Sequence, residues 1–263
     1  MKNSIKLEKA SIEDAEILAK ISKKAFDSDH LVGSPFGKGG PPGYDSPDSY
    51  IRLMKGFECY KILINSKIIG FMAYNPKKKT NYVMERIFID PDYHKRGIAS
   101  EAMSSLFNKF PDVVWTLETP EWNKRTRNFY KKNGFRQVGL EHTCNPGGKW
   151  KCIWYQRDCE GVEIIQKIGD LKDGSTDVIV KGIVKNITEG HKVKLQSDEE
   201  ELTVATVILE DETGQIKFTL WNKLISCVKL NKPFRIDFGK VTSYNNELQL
   251  NVDWYGRIIE ITQ

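Results

Sequence analysis

The pattern of apolar residues changes once along the chain, near residue 159, and this change most constrains the fold. Before Cys159, amphipathic helical segments alternate with strand-like segments. After it, short predicted strands in which apolar and polar residues alternate follow one another closely, as in "DVIVKGIVKNI" and "ELQLNVD". Alternating helices and strands indicate an α/β or α+β domain, whereas successive short strands indicate a sandwich or barrel. We therefore expect two domains, residues 1–159 and residues 160–263, which the length of 263 residues allows.

The two segments also differ in net charge. Residues 1–159 carry a net charge of +9. Residues 160–263 contain 13 Lys and Arg against 17 Asp and Glu, a net charge of −4. Such a contrast is typical of two units with different surfaces, and the positive first unit favours an anionic ligand.

Cysteine usage and hydropathy narrow the class of protein. The five cysteines are scattered, odd in number and without a close Cys-x-x-Cys pair. This spacing argues against a disulfide scaffold and a zinc ribbon, so we expect reduced thiols and no metal. No apolar run approaches about 18 residues, and the start lacks an apolar signal core. We therefore expect a cytoplasmic protein without a membrane partner.

A basic, glycine-containing turn, "YHKRGIAS" (residues 93–100), joins a predicted strand to a predicted helix that begins near Gly97. Free backbone N–H groups and the positive end of the helix dipole converge on an anion in this geometry. Gly97 lets the main chain approach closely, and Lys95 and Arg96 add positive charge. Taken alone, the turn is equally typical of an ordinary solvated connection.

The surroundings of this turn resemble the GNAT superfamily of N-acetyltransferases. The signature of that family is Gln/Arg-x-x-Gly-x-Gly/Ala, and this chain has "HKRGIA", with His94 at the first position. The later segment "NKRTRNFYKKNGF" (residues 123–135) resembles the helix that carries the family's Asn and Tyr and ends in Gly-Phe. The resemblance covers roughly residues 4–157. It implies an α+β domain with a mixed sheet flanked by helices.

The resemblance also implies acetyl-CoA as the co-substrate and names its contacts. The pyrophosphate would bind at His94, Lys95, Arg96, Gly97, Ile98, Ala99 and Ser100. The backbone of Ile87, Phe88 and Ile89 would pair with the pantetheine arm as an added strand and would polarise the thioester carbonyl. Asn123 would contact the same arm.

Acetylation of an amine needs a base for the amine and an acid for the departing thiolate. The resemblance assigns the acid to Tyr130, whose alternative role is aromatic packing. Two carboxylates compete for the role of base. Glu118 matches the base of ribosomal-protein N-terminal alanine acetyltransferases, and Glu85 matches the base of other branches; either can instead be a surface charge.

The acceptor of the acetyl group is a second open question. The Gly- and Pro-rich loop Val32–Asp45 lies where the family admits its acceptor, so we expect it to form a wall of that site. The acceptor is an amine of unknown identity. A protein N-terminus, a lysine, a small polyamine-like molecule and a charged tRNA are all compatible.

Alternation in "GQIKFTLWN" separates a core face from an outer face of one strand of the second unit. Ile216, Phe218 and Leu220 form the core face, and Lys217, Thr219 and Trp221 form the outer face. An outward Trp beside a Lys is typical of surfaces that stack bases and neutralise phosphates, and Tyr244 could supply a second ring.

This unit resembles the OB-fold single-stranded-DNA-binding proteins of archaea and their eukaryotic relatives. The phrases that carry the resemblance are "IGDLKDGSTDVIVKGIV", "ILEDETGQIKFTLWN" and "NNELQLNV", within residues 164–262. It implies an all-β OB-fold barrel in which Trp221 stacks on a base and Tyr244 matches an aromatic residue of the fourth-to-fifth strand loop. The family's further Trp on the fourth strand and its basic, Gly-rich tail are missing.

Two functions follow from these observations. The first is an N-acetyltransferase whose OB module recruits it to single-stranded DNA or RNA, or to associated proteins. The alternative is a single-strand-binding protein whose transferase-like domain binds acetyl-CoA without turnover. Because phosphate neutralisation dominates nucleic-acid affinity, the acidic balance and the stretch Asp198–Glu201 predict weak binding. The alternative is that this barrel binds a protein or packs on the transferase unit.

Overall fold

The computed structural model of the chain describes residues 5–143, 150–194, 201–253 and 255–262. The described chain divides into two compact units. Residues 1–137 and 155–162 contribute to the first unit, and residues 138–154 and 163–263 contribute to the second. The described residues 138–143 and 150–154 thus belong to the second unit, and the domain boundary at residue 159 stays a prediction.

The sheet of the first unit is mixed. Its strands, in spatial order, are β1 (Lys6–Lys9), β2 (Glu58–Ile64), β3 (Lys67–Lys78), β4 (Asn81–Ile89) and β5 (Val114–Pro120). The pairs from β1 to β4 are antiparallel, and β5 runs parallel to β4. Asn65 and Ser66 form the turn between β2 and β3 with φ values of 48° and 62°, as a tight hairpin requires. The segment "YKILINSKIIGFMAYN", in which two apolar runs flank Asn65-Ser66, therefore forms a hairpin.

Helices complete the first unit: α1 (Ala15–Asp27), α2 (Pro47–Gly56), α3 (Ile98–Lys109) and α4 (Lys124–Lys132). A capping box precedes α1 at the 3-10 turn Ile12–Asp14, since the Ser11 N–H donates to Asp14 Oδ2 at 2.8 Å. Helix α2 was not predicted from the sequence, although Pro47 at the first helical position is a typical start signal. Leu18 of α1 and Tyr50 of α2 are buried in one cluster with Phe71 and Phe88 of the sheet. The expected mixed sheet with flanking helices is confirmed.

The second unit contains most of the remaining strands. Strand β6 (Arg136–Glu141) pairs through its last three residues with the final described strand, Arg257–Ile261. Strand β7 spans Cys152–Arg157. The following strands are β8 (Val178–Ile187), β9 (His191–Lys194), β10 (Glu201–Asp211), β11 (Gly214–Trp221), β12 (Pro233–Tyr244), β13 (Glu247–Asn251) and β14 (Arg257–Ile261).

Five strands of the second unit close a ring. Strand β8 pairs with β10 and β12, β10 pairs with β11, β11 pairs in parallel with β13, and β13 pairs with β12. Val207, Phe218, Ile236 and Leu250 lie in its interior cluster. The predicted OB fold is confirmed. The predicted helical segment between β11 and β12 forms a 3-10 helix over Asn222–Cys227.

The expectation of reduced cysteines holds for some positions and is wrong for one. Cys59, Cys159 and Cys227 are free, whereas Cys152 is disulfide-bonded. Disulfide formation depends on how closely two cysteines approach in space, which sequence spacing does not determine. Cys144 and residues 198–200 of the predicted acidic stretch lie outside the described residues. Within the described ranges, no helix is long and apolar enough to cross a membrane.

Candidate functional site

The first unit contains a fork between two parallel strands. The recorded β4–β5 register joins Asn81–Val83 to Val114–Thr116, after which β4 continues to Ile89 and β5 continues to Pro120. Within the described residues, the backbone of Ile87–Ile89 therefore has no β5 partner on this edge. A strand edge without a partner can bind an extended ligand through main-chain hydrogen bonds.

The turn that follows β4 leads directly into a helix N-terminus. Gly97 is the residue before α3 and has a φ of 78°, a left-handed conformation that glycine adopts without a steric penalty. The Glu101 N–H donates to the Gly97 carbonyl at 3.0 Å, so the N–H groups of Ile98, Ala99 and Ser100 precede this hydrogen bond. A Cβ placed on Gly97 would meet no atom within 4 Å. Gly97 thus has free space beside it, and the N–H groups that follow are the unpaired donors that an anion site uses.

The side chains of the turn mainly stabilise the turn itself. Nε2 of His94 donates to the Ile89 carbonyl oxygen at 2.8 Å. Burial lowers the pKa of His94, which favours the neutral ring. Arg96 donates to the Asp92 carbonyl at 3.0 Å and its guanidinium lies over the Tyr93 ring at 5.1 Å. Contacts of these side chains with the cofactor stay a prediction.

An ion-pair cluster connects helix α1 to the end of β4. Lys24 Nζ contacts Asp90 Oδ1 at 2.8 Å and Asp92 Oδ2 at 2.5 Å. Asp90 also accepts from the Asp92 backbone N–H at 3.1 Å. The ion pairs with α1 and the backbone hydrogen bond therefore hold the first residues of the turn in place before any ligand binds.

The two candidate bases occupy equivalent positions beyond the fork. Val83 pairs with Thr116, and Glu85 and Glu118 each follow their strand's paired residue by two positions. In the β3–β4 register Ala73 faces Arg86 and Tyr74 faces Met84, so Glu85 is the extra residue of a β-bulge. Bulges of this kind redirect side chains beside active sites. Glu85 is half-buried and Glu118 is exposed.

Tyr130 is the candidate acid on α4 and is buried. Its ring lies 5.8 Å from Phe135 and 6.3 Å from Tyr155 between centroids. Within the described part of the chain no hydrogen bond reaches its hydroxyl. Burial raises the pKa of Tyr130 well above its usual value, and the negative charge of Asp29 raises it further. The phenol therefore stays protonated at neutral pH.

Asp29, at the end of α1, and Arg125, on α4, are site residues that the sequence analysis missed. Asn123 caps α4 by accepting from the Thr126 N–H at 3.1 Å, and its Nδ2 donates to Asp29 Oδ2 at 3.1 Å. Arg125 forms an ion pair with Asp29 Oδ1. Asp29 is only 8% exposed. No local pattern around Asp29 indicates this contact, because its partners lie more than 90 residues away along the chain.

Hydrogen bonds of two tyrosines hold the end of the predicted acceptor-site loop against the rest of the first unit. Tyr44 donates to Asp27 Oδ1 at 2.9 Å, and Tyr50 donates to the Tyr44 carbonyl at 3.2 Å. Arg86 of β4 donates to the Tyr50 hydroxyl at 3.3 Å. The C-terminal end of the loop is therefore held beside α1 and β4. Its role as an acceptor-site wall stays a prediction.

The four predicted nucleic-acid contacts share one outer face of the second unit. Lys217 faces Gln249 across the β11–β13 pair, and Gln249 faces Thr242 across the β13–β12 pair. Residues two apart on a strand share a face. The shared outer face consists of Lys217, Thr219, Trp221, Thr242, Tyr244, Glu247 and Gln249. The buried positions Ile216, Phe218 and Leu220 confirm the predicted core side of β11.

The charge of Lys217 is neutralised within this outer face. Its ammonium forms an ion pair with Glu247, the residue that faces Tyr244 across the β12–β13 hairpin. Tyr244 is 65% exposed, and Trp221 is half-buried. The face thus offers two rings and polar groups, with a carboxylate between the lysine and the exposed ring.

Each of the two units contains a segment that matches a known protein family. Residues 30–135 match the family described as "Acetyltransferase (GNAT) family". Residues 174–260 match the family described as "Single-stranded DNA binding protein Ssb-like, OB fold". The chain combines a GNAT-family domain with an Ssb-like OB-fold domain.

Two curated relatives match parts of this GNAT–OB chain. The uncharacterized protein YrkN of Bacillus subtilis is 34% identical over 96 residues, which are 35% of this chain and 52% of YrkN. The single-stranded DNA binding protein Ssb of Saccharolobus solfataricus is 28% identical over 98 residues, 37% of this chain and 65% of Ssb. The chain thus spans 52% and 65% of the lengths of these relatives.

Among solved structures, the ribosomal-protein-S18-alanine N-acetyltransferase from Escherichia coli is similar to part of this chain. It has a TM-score of 0.47 and 15% sequence identity. The match covers 61% of this chain and 99% of that protein.

Proposed function

We propose that the chain is an acetyl-CoA-dependent N-acetyltransferase that acetylates a primary amine of a protein or small molecule. The observation that carries this proposal is the fork of β4 and β5 followed by the Gly97 turn, within a GNAT-family domain. An extended pantetheine arm fits an unpaired strand edge, and a pyrophosphate fits the first N–H groups of α3.

Acetyl-CoA supplies the acetyl group as a thioester. The N–H groups of residues 98–100 bind the pyrophosphate, and the backbone of Ile87–Ile89 orients the arm and donates to the thioester carbonyl oxygen. Glu118 or Glu85 takes a proton from the acceptor ammonium, so that the nitrogen lone pair can attack the carbonyl carbon. Tyr130 gives its proton to the sulfur as the carbon–sulfur bond breaks, and the proton that the acylated nitrogen then loses restores the phenol.

Release of free thiol from acetyl-CoA tests the reaction. Wild-type chain with a panel of N-terminal peptides, lysine peptides, polyamines and aminoacyl-tRNA should release thiol with at least one acceptor. Glu118→Gln and Glu85→Gln form a matched pair, because each replaces one carboxylate by an amide of the same size. The variant that loses activity at neutral pH identifies the base. Wild-type chain that neither binds acetyl-CoA by calorimetry nor releases thiol contradicts the proposal.

The proposed role of the OB module is recruitment to single-stranded nucleic acid or to proteins bound to it. The match to an Ssb-like OB fold and the common face of Trp221 and Tyr244 support this role. Oligo-dT should quench tryptophan fluorescence at low salt, where even weak phosphate contacts contribute. Trp221→Ala should abolish the quenching while Trp221→Phe retains part of the affinity, because a phenyl ring still stacks. Absence of binding to DNA or RNA at low salt would leave a protein ligand.

The second candidate function is a single-strand binder that binds acetyl-CoA without turnover. The relation of residues 174–260 to an Ssb-like family favours it. Acetyl-CoA binding by calorimetry without thiol release from any acceptor, together with oligonucleotide binding, would support this alternative over the enzyme.

A further inference from the structure

Asp29 occupies a buried polar cluster that the proposed mechanism leaves unused. It lies in the 3-10 turn Ser28–Val32 that follows α1. Its Oδ2 accepts from Asn123 Nδ2 at 3.1 Å, and its Oδ1 is paired with the Arg125 guanidinium. A single carboxylate therefore joins the end of α1 to the first turn of α4.

This carboxylate fixes the orientation of the Asn123 amide. The Asn123 Oδ1 accepts from the Thr126 N–H, and one Nδ2 hydrogen goes to Asp29. An amide nitrogen carries two hydrogens, so the bond to Asp29 uses one of them and leaves the other for the proposed contact with the cofactor arm, although Asn123 is itself only 2% exposed. Tyr130 follows Asn123 by seven residues, two helical turns, which places both side chains toward the same side of α4. Asp29 thus orients one of these residues and acts electrostatically on the other.

A second buried aspartate, at the other end of α1, provides a contrast. Asp14 is 9% exposed and accepts from the Ser11 N–H at 2.8 Å and from Lys61 at 2.9 Å. Burial acts to raise the pKa of Asp14, but the Ser11 N–H and the Lys61 ammonium together bring it below the usual value. The ionised form of Asp14 therefore stabilises the folded state.

For Asp29 the effects that raise the pKa outweigh those that lower it, the opposite of Asp14. Burial raises the pKa of Asp29, and the charge of Arg125 and the Asn123 amide offset this only in part; the His94 ring is the other titratable group that acts on it. A carboxyl group whose pKa is raised in the folded state costs folding free energy when it is ionised at neutral pH. Retention of a buried charge at a cost to stability is typical of functional sites rather than of structural ones.

We propose that Asp29 is a positioning residue of the acetyl transfer, which holds the Asn123 amide toward the cofactor arm and the Asn123–Tyr130 side of α4 toward the reacting thioester. This inference rests on the proposed transferase function. Asp29 acts through Asn123 and α4 and does not itself transfer a proton.

Asp29→Asn in the full chain tests this role. An Asn side chain offers one acceptor oxygen instead of two and carries no charge, so Asn123 and Arg125 compete for that oxygen and the orientation of the Asn123 amide is less well fixed. We expect kcat/KM for acetyl-CoA to fall about 10- to 100-fold, since small misplacements cost rate on this scale. Tm should stay equal or rise, because a costly buried charge is removed. The matched control Asp14→Asn should lower Tm and leave kcat/KM unchanged.

A double-mutant cycle separates positioning from an independent effect. If Asp29 acts through Asn123, the double variant Asp29→Asn/Asn123→Ala should be no slower than Asn123→Ala alone. Rates that fall by the product of the two single effects overturn the proposal. So does an Asp29→Asn chain that melts below wild type, because Asp29 is then structural.

The failure of this proposal is distinguishable from the failure of the transferase function. Wild-type chain without turnover refutes the reaction and the positioning role together. Active wild-type chain with an unimpaired Asp29→Asn variant refutes the positioning role alone.

Discussion

Replacement of Glu247 by Gln should strengthen binding of single-stranded nucleic acid to the outer face of the OB domain. Glu247 is paired with Lys217 and faces Tyr244, the most exposed ring of this face. A phosphate that approaches Lys217 must compete with a carboxylate that is part of the same surface. Removal of that carboxylate frees the ammonium without changing the size of the side chain.

The size of the effect follows from one additional phosphate contact. For single strands each contact adds about −0.7 to the slope of log K against log salt, which corresponds to roughly fivefold tighter binding at about 0.1 M salt. The Lys217 and Glu247 side chains are 38% and 57% exposed. Loss of an ion pair this exposed costs only about 0–1 kcal/mol of stability, so Tm should change little.

Fluorescence anisotropy of labelled oligo-dT across a series of salt concentrations measures both the affinity and its slope. Glu212→Gln is the matched control, because Glu212 is a similarly exposed carboxylate paired with Lys167 in the β10–β11 turn. Like Glu247→Gln, the Glu212→Gln variant removes one negative charge, but at a position away from the outer face. An equal gain in oligonucleotide affinity in both variants would show that the effect comes from the change in net charge alone. An unchanged slope in Glu247→Gln would refute the competition between Glu247 and phosphate.

Three further predictions concern the GNAT-family unit. Gly97→Ala should cost about 1–2 kcal/mol, because Ala is strained at a φ of 78°, and should weaken acetyl-CoA binding in calorimetry, because relief of this strain shifts the N–H groups that follow. Tyr130→Phe should lower kcat about 100-fold with unchanged acetyl-CoA affinity, since it removes only the phenolic proton; unchanged kcat would identify Tyr130 as a packing residue. The pKa of Asp14 is lowered from 3.8, so its stabilisation is present at neutral pH and is lost as the pH falls through its native pKa. The Tm gap between wild type and Asp14→Asn should therefore close below about pH 4, and a gap independent of pH would contradict this reasoning.

Some features of the fold depend only on residues that are close together in the sequence. The Gly97 turn, the cap of α1 at Ser11 and the alternating faces of β11 all appear in the sequence, because each depends on neighbouring residues. Backbone preferences and side-chain periodicity act over a few residues and leave a readable pattern. Helix α2 has such a signal in Pro47, although the surrounding Gly and Pro residues obscure it.

Other features depend on residues that meet only in the folded chain. The fork that brings Glu85 and Glu118 to equivalent positions arises where two strands stop pairing, which no strand pattern encodes. The disulfide bond of Cys152 likewise depends on proximity rather than on spacing along the chain.

The sequence by itself determined the two fold types, the location of the glycine turn proposed to bind an anion and which face of β11 is exposed. Only the tertiary structure decided that Asp29 is joined to Asn123 and that Glu247 neutralises Lys217, across 94 and 30 positions of sequence. Such contacts form because strand pairing and helix packing bring distant segments together, and a polar side chain gives no local sign of its distant partner. The chemistry of each face therefore depends on both levels: the sequence supplies the reactive groups, and the fold determines which of their charges are already paired.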